Sequence, residues 1–262
     1  MALKSDGTVW TWGDNSFGEL GNGSSGNSNV PVQVAGLNQV TAIAAGNGYA
    51  SFVRDGFAVA LRWDGTVWAW GSGSRGQLGN GANNDSNVPV RVSGIGGVSA
   101  IATGGDCGLA LLPDGTVWAW GGNASGELGI GSNTDTNTPV QIVALRGVVA
   151  LGNSTAPLAL ESGGILLSWG YNGFGAVGNR TTTNSSVPVA VLGLSGVIAM
   201  GSNPTGSTNF AIAGAPVVVD VQAKINEALG VAAANDLNGD GVVNAVDVQI
   251  VINAVLGLGL RG

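Results

Sequence analysis

The sequence predicts a mainly β chain: a β-propeller of about four repeated blades in an incomplete ring, followed by a small α-helical domain. Three observations carry this. Four blocks of sequence repeat the same landmarks, the apolar residues inside each block alternate with period two, and the last fifth of the chain abandons both habits for helical spacing. The composition agrees, since 262 residues include 47 glycines and only 10% charged side chains, as expected for many short strands joined by polar turns.

The four blocks are "DGTVWTWGDNSFGELGNG" from Asp6, "DGTVWAWGSGSRGQLGNG" from Asp64, "DGTVWAWGGNASGELGIG" from Asp114 and "GGILLSWGYNGFGAVGNR" from Gly163. Trp12, Trp70, Trp120 and Trp169 are 58, 50 and 49 residues apart, and Pro31, Pro89, Pro139 and Pro188 keep the same spacings. Two landmarks moving in step define a true repeat. In "TVWAW" Thr66, Trp68 and Trp70 fall on one face of a strand, and the Asp-Gly before them is a tight-turn signal, so "ALLPDGTVWAW" predicts a hairpin. The "PVQV" and "VSAIA" segments add two more strands. Each unit therefore has about four, the content of a propeller blade. Before the second block, "GNGYASFVRDGFAVALRWDG" has two Asp-Gly pairs where the third unit has one, which predicts a doubled strand.

Seven of the eight tryptophans recur at repeat positions, as expected for residues that fill the space between blades. The loops "NGSSGNSN", "NGANNDSN", "GSNTDTNT" and "NRTTTNSS" are equivalent and should gather on one face as hydrogen-bonding surface. Asp6, Asp64 and Asp114 belong to turns, where an Asp side chain bonds the local backbone. Cys107, in the apolar "CGLALL", is expected in the core.

These landmarks, G-x-L-G, W-G, P-V-x-V and A-L-x-x-D-G-T-V-W-x-W-G, resemble the regulator of chromosome condensation repeat over residues 1–213. The resemblance implies a seven-bladed propeller. It also implies a His just before the A-L strand, where the third unit has Cys107. Four units fall short of seven blades, so we expect the C-terminal part of a longer protein, whose upstream blades and signal sequence lie before Met1. The alternative is a self-assembling or unusually small ring.

After "AGAP" a second domain is expected over residues 216–262. Val221, Ile225, Ala228 and Leu229, then Val248, Val251, Ile252, Val255 and Leu256, have helical spacing, and "VDVQAKINEALG" and "VDVQIVINAVLG" are copies 27 residues apart. Between them lies "DLNGDGVVNAVD". Asp236, Asn238, Asp240, Asn244 and Asp247 occupy positions 1, 3, 5, 9 and 12 of a calcium loop, with the Val242 carbonyl at 7 and Gly241 at 6. One calcium ion is the cofactor this spacing predicts.

The module resembles a dockerin, the paired calcium-loop-and-helix domain that docks into cohesin modules of extracellular polysaccharide-degrading assemblies. Here only the second loop keeps its ligands, because the first, from Asn209, places Ala211, Ala213 and Val217 at ligand positions. The polar recognition pair is replaced by Ala245 and Val246. The resemblance implies a cohesin-like protein partner.

Composition excludes several classes. With no histidine there is no Ser-His-Asp triad and no imidazole ligand or base. Nine Lys and Arg against a net charge of −7 leave no basic stripe, so nucleic acid is not an expected partner. No apolar run is long enough to span a bilayer. The expected function is a non-catalytic, extracellular or cell-surface binding and scaffold protein, with a recognition surface on the propeller and a calcium-ordered docking module. The alternative is a carbohydrate-active enzyme or carbohydrate-binding subunit, for which two convergent carboxylates or exposed tryptophans would be needed.

Overall fold

The chain divides into two units, Met1–Ala213 and Gly214–Gly262. The computed structural model describes residues 1–47, 56–152, 154–202 and 208–214, all but Gly214 in the first unit. The predicted helices and calcium loop lie outside the described residues.

Described strands form five antiparallel sheets. The first holds β1 (Ala2–Leu3), β2 (Val9–Gly13) and β3 (Ser28–Gln33). Three complete sheets follow in sequence order: β4 (Val40–Asn47), β5 (Gly56–Arg62), β6 (Val67–Gly71) and β7 (Ser86–Arg91); β8 (Ala100–Gly104), β9 (Cys107–Leu111), β10 (Val117–Gly121) and β11 (Thr136–Gln141); β12 (Val148–Gly152), β13 (Leu158–Glu161), β14 (Leu166–Gly170) and β15 (Ser185–Ala190). The fifth pairs β16 (Val197–Ser202) with β17 (Asn209–Ala213). The first strands β4, β8, β12 and β16 neighbour one another in turn, as the inner strands of propeller blades do.

The expected hairpin is present, with Val117 opposite Leu111 and Gly121 opposite Cys107. One expectation needs correcting: a sequence block is not a blade. The block from Asp64 supplies β6 and β7, the outer half of one sheet, and then β8 and β9, the inner half of the next. Four blocks therefore spread over five sheets, and each block ties two blades together covalently. The extra length before the second block does not give a doubled strand among the described residues. It extends β4 and β5, with Asn47 opposite Gly56 and Gly46 opposite Phe57, and residues 48–55 between them lie outside the described residues.

The second strand of each complete sheet, β5, β9 or β13, is buried on both faces, which explains why β5 reads as an almost continuous apolar run, "GFAVALR". Ala58, Ala60 and Trp70 pack back against Val9 and Val34 of the first sheet, whereas Phe57, Val59, Val67 and Ala69 pack forward with Ala110 and Trp120 of the third. The next junction repeats the pattern, with Leu109, Val117 and Ala119 against Ala159 and Trp169. Small residues on the backward face make room for the indoles: a methyl group on Gly108 would collide with Trp120. Pro31, Pro89 and Pro188 sit in the outermost strands, where no further strand needs their missing N–H.

Candidate functional site

Strands β2, β6, β10 and β14 each end in Trp-Gly and open into a long loop, and these four loops leave their sheets at the same end. A buried asparagine organises three of them. Asn123, fully buried, donates through Nδ2 to the carbonyls of Ser132 and Thr134 at 2.9 and 3.0 Å, while its Oδ1 accepts from Leu128 N at 2.9 Å. Its own N–H donates to Asp135 Oδ1 at 2.7 Å. Asn15 makes the equivalent set with Ser24, Gly26, Leu20 and Asn27, and Asn172 with Thr181, Thr183, Val177 and Asn184. One side chain thus replaces the backbone pairing that an irregular loop lacks. In the second of the four loops Gly73 stands at this place. Its N–H still bonds Asp85 Oδ1 at 2.9 Å, and the Asn84 carbonyl moves into the space that a side chain would need.

The asparagine was legible in the sequence as W-G-x-N, but only as part of a polar loop. Its partner twelve residues on, Asn27, Asp85, Asp135 or Asn184, was the other available signal.

Carboxylates gather at this end. Asp14, Glu19, Asp85, Asp106, Glu127 and Asp135 belong to these loops or to the adjacent β8–β9 turn. The Glu19 carboxyl is pushed up by burial, with further repulsion from Asp14 and Asp85, and Glu127 is pushed up by burial and by Asp106. Arg75 crosses from one blade to the next, reaching Asp106 Oδ2 at 2.8 Å and Asp135 Oδ2 at 3.3 Å. The carboxylates are held by their own loops: Glu19 accepts from Phe17 N, Glu127 from Ser125 N and Asp14 from Asn15 N. Such groups shape an acidic surface rather than offering a free acid–base pair.

The opposite end carries the Asp-Gly turns. Asp6, Asp64 and Asp114 each accept from the N–H and hydroxyl of the Thr two residues on, as expected, and these bonds hold the Asp6 carboxyl down at about 2. Cys107 is buried, and burial raises its thiol pKa, which leaves it protonated and inert.

Trp70, Trp120 and Trp169 are fully buried, as a core role requires. Trp12 and Trp63 are exposed, at 48% and 67%. They stand at opposite ends of their strands, on different sheets, so they do not form one sugar-binding platform. Among the described residues no group of three or more Cys, Asp or Glu is arranged to hold a metal ion, and no helix is long and apolar enough to cross a membrane. Asp236, Asn238, Asp240, Val242, Asn244 and Asp247 lie outside the described residues.

Comparison with known proteins follows the repeats. The model of the regulator of chromosome condensation (RCC1) repeat matches residues 6–53, 64–111, 114–154 and 163–203, more than half of the chain. The human E3 ubiquitin-protein ligase HERC2 is 37% identical over 106 residues, covering 40% of this chain and 2% of HERC2. The ultraviolet-B receptor UVR8 of Arabidopsis thaliana is 39% identical over 89 residues, covering 34% of this chain and 19% of the receptor. Among solved structures, human WBSCR16 superposes with a TM-score of 0.68 at 24% identity, over 82% of this chain and 55% of that one. Yeast RCC1 (Prp20), solved bound to Kap60, superposes with a TM-score of 0.69 at 20% identity, over 86% of this chain and 54% of that one. The chain thus spans about half the length of these solved relatives, and at such identities the likeness shows the fold alone.

Proposed function

The chain belongs to the regulator of chromosome condensation repeat family, and from that premise we propose that its propeller unit is a non-catalytic protein-binding platform that engages a basic protein surface through the acidic loop end. The observation that carries this is the buried-asparagine clamp. Loops fixed by Asn15, Asn123 and Asn172 lose little conformational entropy when a partner docks, which is what a recognition surface needs. The charge supports the choice of partner, since the carboxylates of this end are matched by few cations and the chain carries −7 overall.

The relatives support a protein partner as well. Yeast Prp20 has been solved with Kap60, and its binding to Gsp1p and histones has been examined. The test uses a histone dimer as a defined basic probe and follows fluorescence anisotropy over a salt series. Binding that weakens with salt, and weakens further in the Asp14→Asn, Glu19→Gln double variant, supports the platform. Binding that ignores the double variant, or no binding at low salt, removes the reading.

For the C-terminal unit we propose, on residue spacing alone, one calcium site formed by Asp236, Asn238, Asp240, the Val242 carbonyl, Asn244 and Asp247. Docking to a protein partner and an extracellular setting, where calcium is plentiful, belong to the same proposal. Calorimetric titration of the whole chain with calcium, beside Asp240→Ala, tests it. A single calcium site lost in the variant is expected, and no heat in the parent chain overturns it.

A further inference from the structure

The turn between β5 and β6 departs from its counterparts at one position. Just before its Asp-Gly pair stands Trp63, where the equivalent turns of the other sheets carry Ser5, Pro113 and Ser162. All four residues are exposed, so this place faces outward in every sheet, and Trp63 is 67% exposed although its own sheet packs against a neighbour on either side. The segment beside it departs as well. Gln39 has φ +55°, the left-handed conformation that Gly97, Gly147 and Gly196 supply at the equivalent places with φ +66°, +57° and +60°. Each of the four packs against the Gly of the preceding sheet's turn, Gly7, Gly65, Gly115 or Gly164. A glutamine there is strained, and strain of this kind persists where the surroundings over-determine it.

The Gln39 side chain aims the indole. Its Oε1 accepts from Trp63 Nε1 at 2.7 Å and from Arg62 Nη2 at 3.1 Å, and its carbonyl accepts from Trp63 N at 3.0 Å. Arg62 is pinned in turn. Its Nε donates to the Asn38 carbonyl at 3.1 Å, its Nη2 to Asn38 Oδ1 at 3.4 Å, and its Nη1 pairs with Asp64 Oδ2 at 3.4 Å. A large apolar ring is thus held in the open in one orientation, whereas an indole that only filled space would be buried like Trp70. Aromatic side chains ordered before a partner arrives make binding hot spots.

The polar groups around the ring select its ligand. Every acceptor is engaged: the Asn38 carbonyl and Oδ1, the Gln39 carbonyl and Oε1, Asp64 Oδ2 with Arg62, and Asp64 Oδ1 with the N–H and hydroxyl of Thr66. Donors are left over, because Asn38 Nδ2 and Gln39 Nε2, on exposed residues, have no acceptor among the described residues. The charges are also matched, Arg62 by Asp64 and, in the neighbouring sheet, Lys4 by Asp6 at 3.2 Å. The complementary ligand is uncharged, has a flat apolar face and offers acceptors without donors. A sugar fits poorly, since each hydroxyl needs an acceptor for its own hydrogen. A proline-rich segment fits on each count, with flat apolar rings, no N–H on proline, and carbonyls that the polyproline II backbone leaves unpaired. We propose that Trp63 anchors a docking site for an uncharged, proline-rich extended segment of a partner protein, its rings stacking on the indole and its carbonyls accepting from Asn38 and Gln39. This site lies at the end opposite the acidic loops and is independent of them.

Fluorescence anisotropy of a labelled polyproline peptide with blocked ends, titrated with the whole chain, tests this. The parent is expected to bind it with an affinity that salt leaves unchanged, because the charges at the site are already paired. Trp63→Ser and Gln39→Gly install residues that other sheets of this chain carry at the same places, so both are expected to keep the parent circular dichroism spectrum. Trp63→Ser should weaken binding about tenfold or more, and Gln39→Gly, which releases the indole, severalfold. The Asp14→Asn, Glu19→Gln double variant should bind the peptide as the parent does, which separates this site from the acidic end. A parent chain that leaves the peptide unbound at millimolar concentration overturns the inference. So does unchanged affinity in Trp63→Ser or in Gln39→Gly, and so does a neutral oligosaccharide that binds through Trp63 where the peptide does not.

Discussion

The indole nitrogen of Trp120 donates to the backbone carbonyl of Gln77, forty-three residues earlier and one blade back, at 2.9 Å. The same bond recurs at two other junctions, so a single residue type both fills the gap between sheets and fixes how far apart they stand. Trp120→Ala should therefore lose packing and the bond together, about 3–5 kcal/mol. Trp12→Ala, at the same repeat position but 48% exposed, should cost about 1 kcal/mol or less. Denaturant unfolding of both variants checks the contrast.

Glycines at the junctions give a second contrast. Gly126 has φ +89° and a neighbouring Cα at 2.5 Å from where a Cβ would stand, so Gly126→Ala combines left-handed strain with a collision. A loss of about 3 kcal/mol is expected. Gly175→Ala, with φ +77° and open space around it, should cost only about 1 kcal/mol for the strain. Thermal unfolding distinguishes them.

Asn123→Ala leaves the Leu128 N–H without its acceptor and frees the Ser132 and Thr134 carbonyls. Stability should fall by about 2–3 kcal/mol, since a buried donor loses its partner. Amide exchange should quicken across residues 130–135 while β9 stays protected.

The pH response of Glu127 has a definite sign. Burial, then Asp106, raises its pKa above the ordinary 4.5, so between the unfolded and folded values the folded state binds the extra proton. Stability from this group falls as pH rises through that window and stays lowered at neutral pH. Glu127→Gln should raise the melting temperature at pH 7, and the difference should vanish below the ordinary carboxylate pKa. Gln77 already fills the equivalent position, accepting from Arg75 N at 2.8 Å, so the substitution keeps the local bond.

Much of the fold was legible in the sequence. Trp12, Trp70, Trp120 and Trp169 in step with the prolines announced the repeats, and the Asp114-Gly115 pair marked the hairpin. The half-blade stagger was not legible, because period two says which residues share a face and not which strands share a sheet. Nor was the exposure of Trp12, which has the same local sequence as the fully buried Trp70 and Trp120. Of the candidate site, the polar loops were visible, but the clamp was hidden: an Asn that bonds to carbonyls nine and eleven residues away looks, in sequence, like an Asn exposed to water.

The most direct test of the platform is hydrogen exchange of the whole chain with and without the histone dimer. Protection is predicted in the loops 22–29, 80–87, 131–138 and 179–186, at the clamped acidic end. Protection confined to the Asp6, Asp64 and Asp114 turns at the opposite end, or none in residues 1–213, would contradict it.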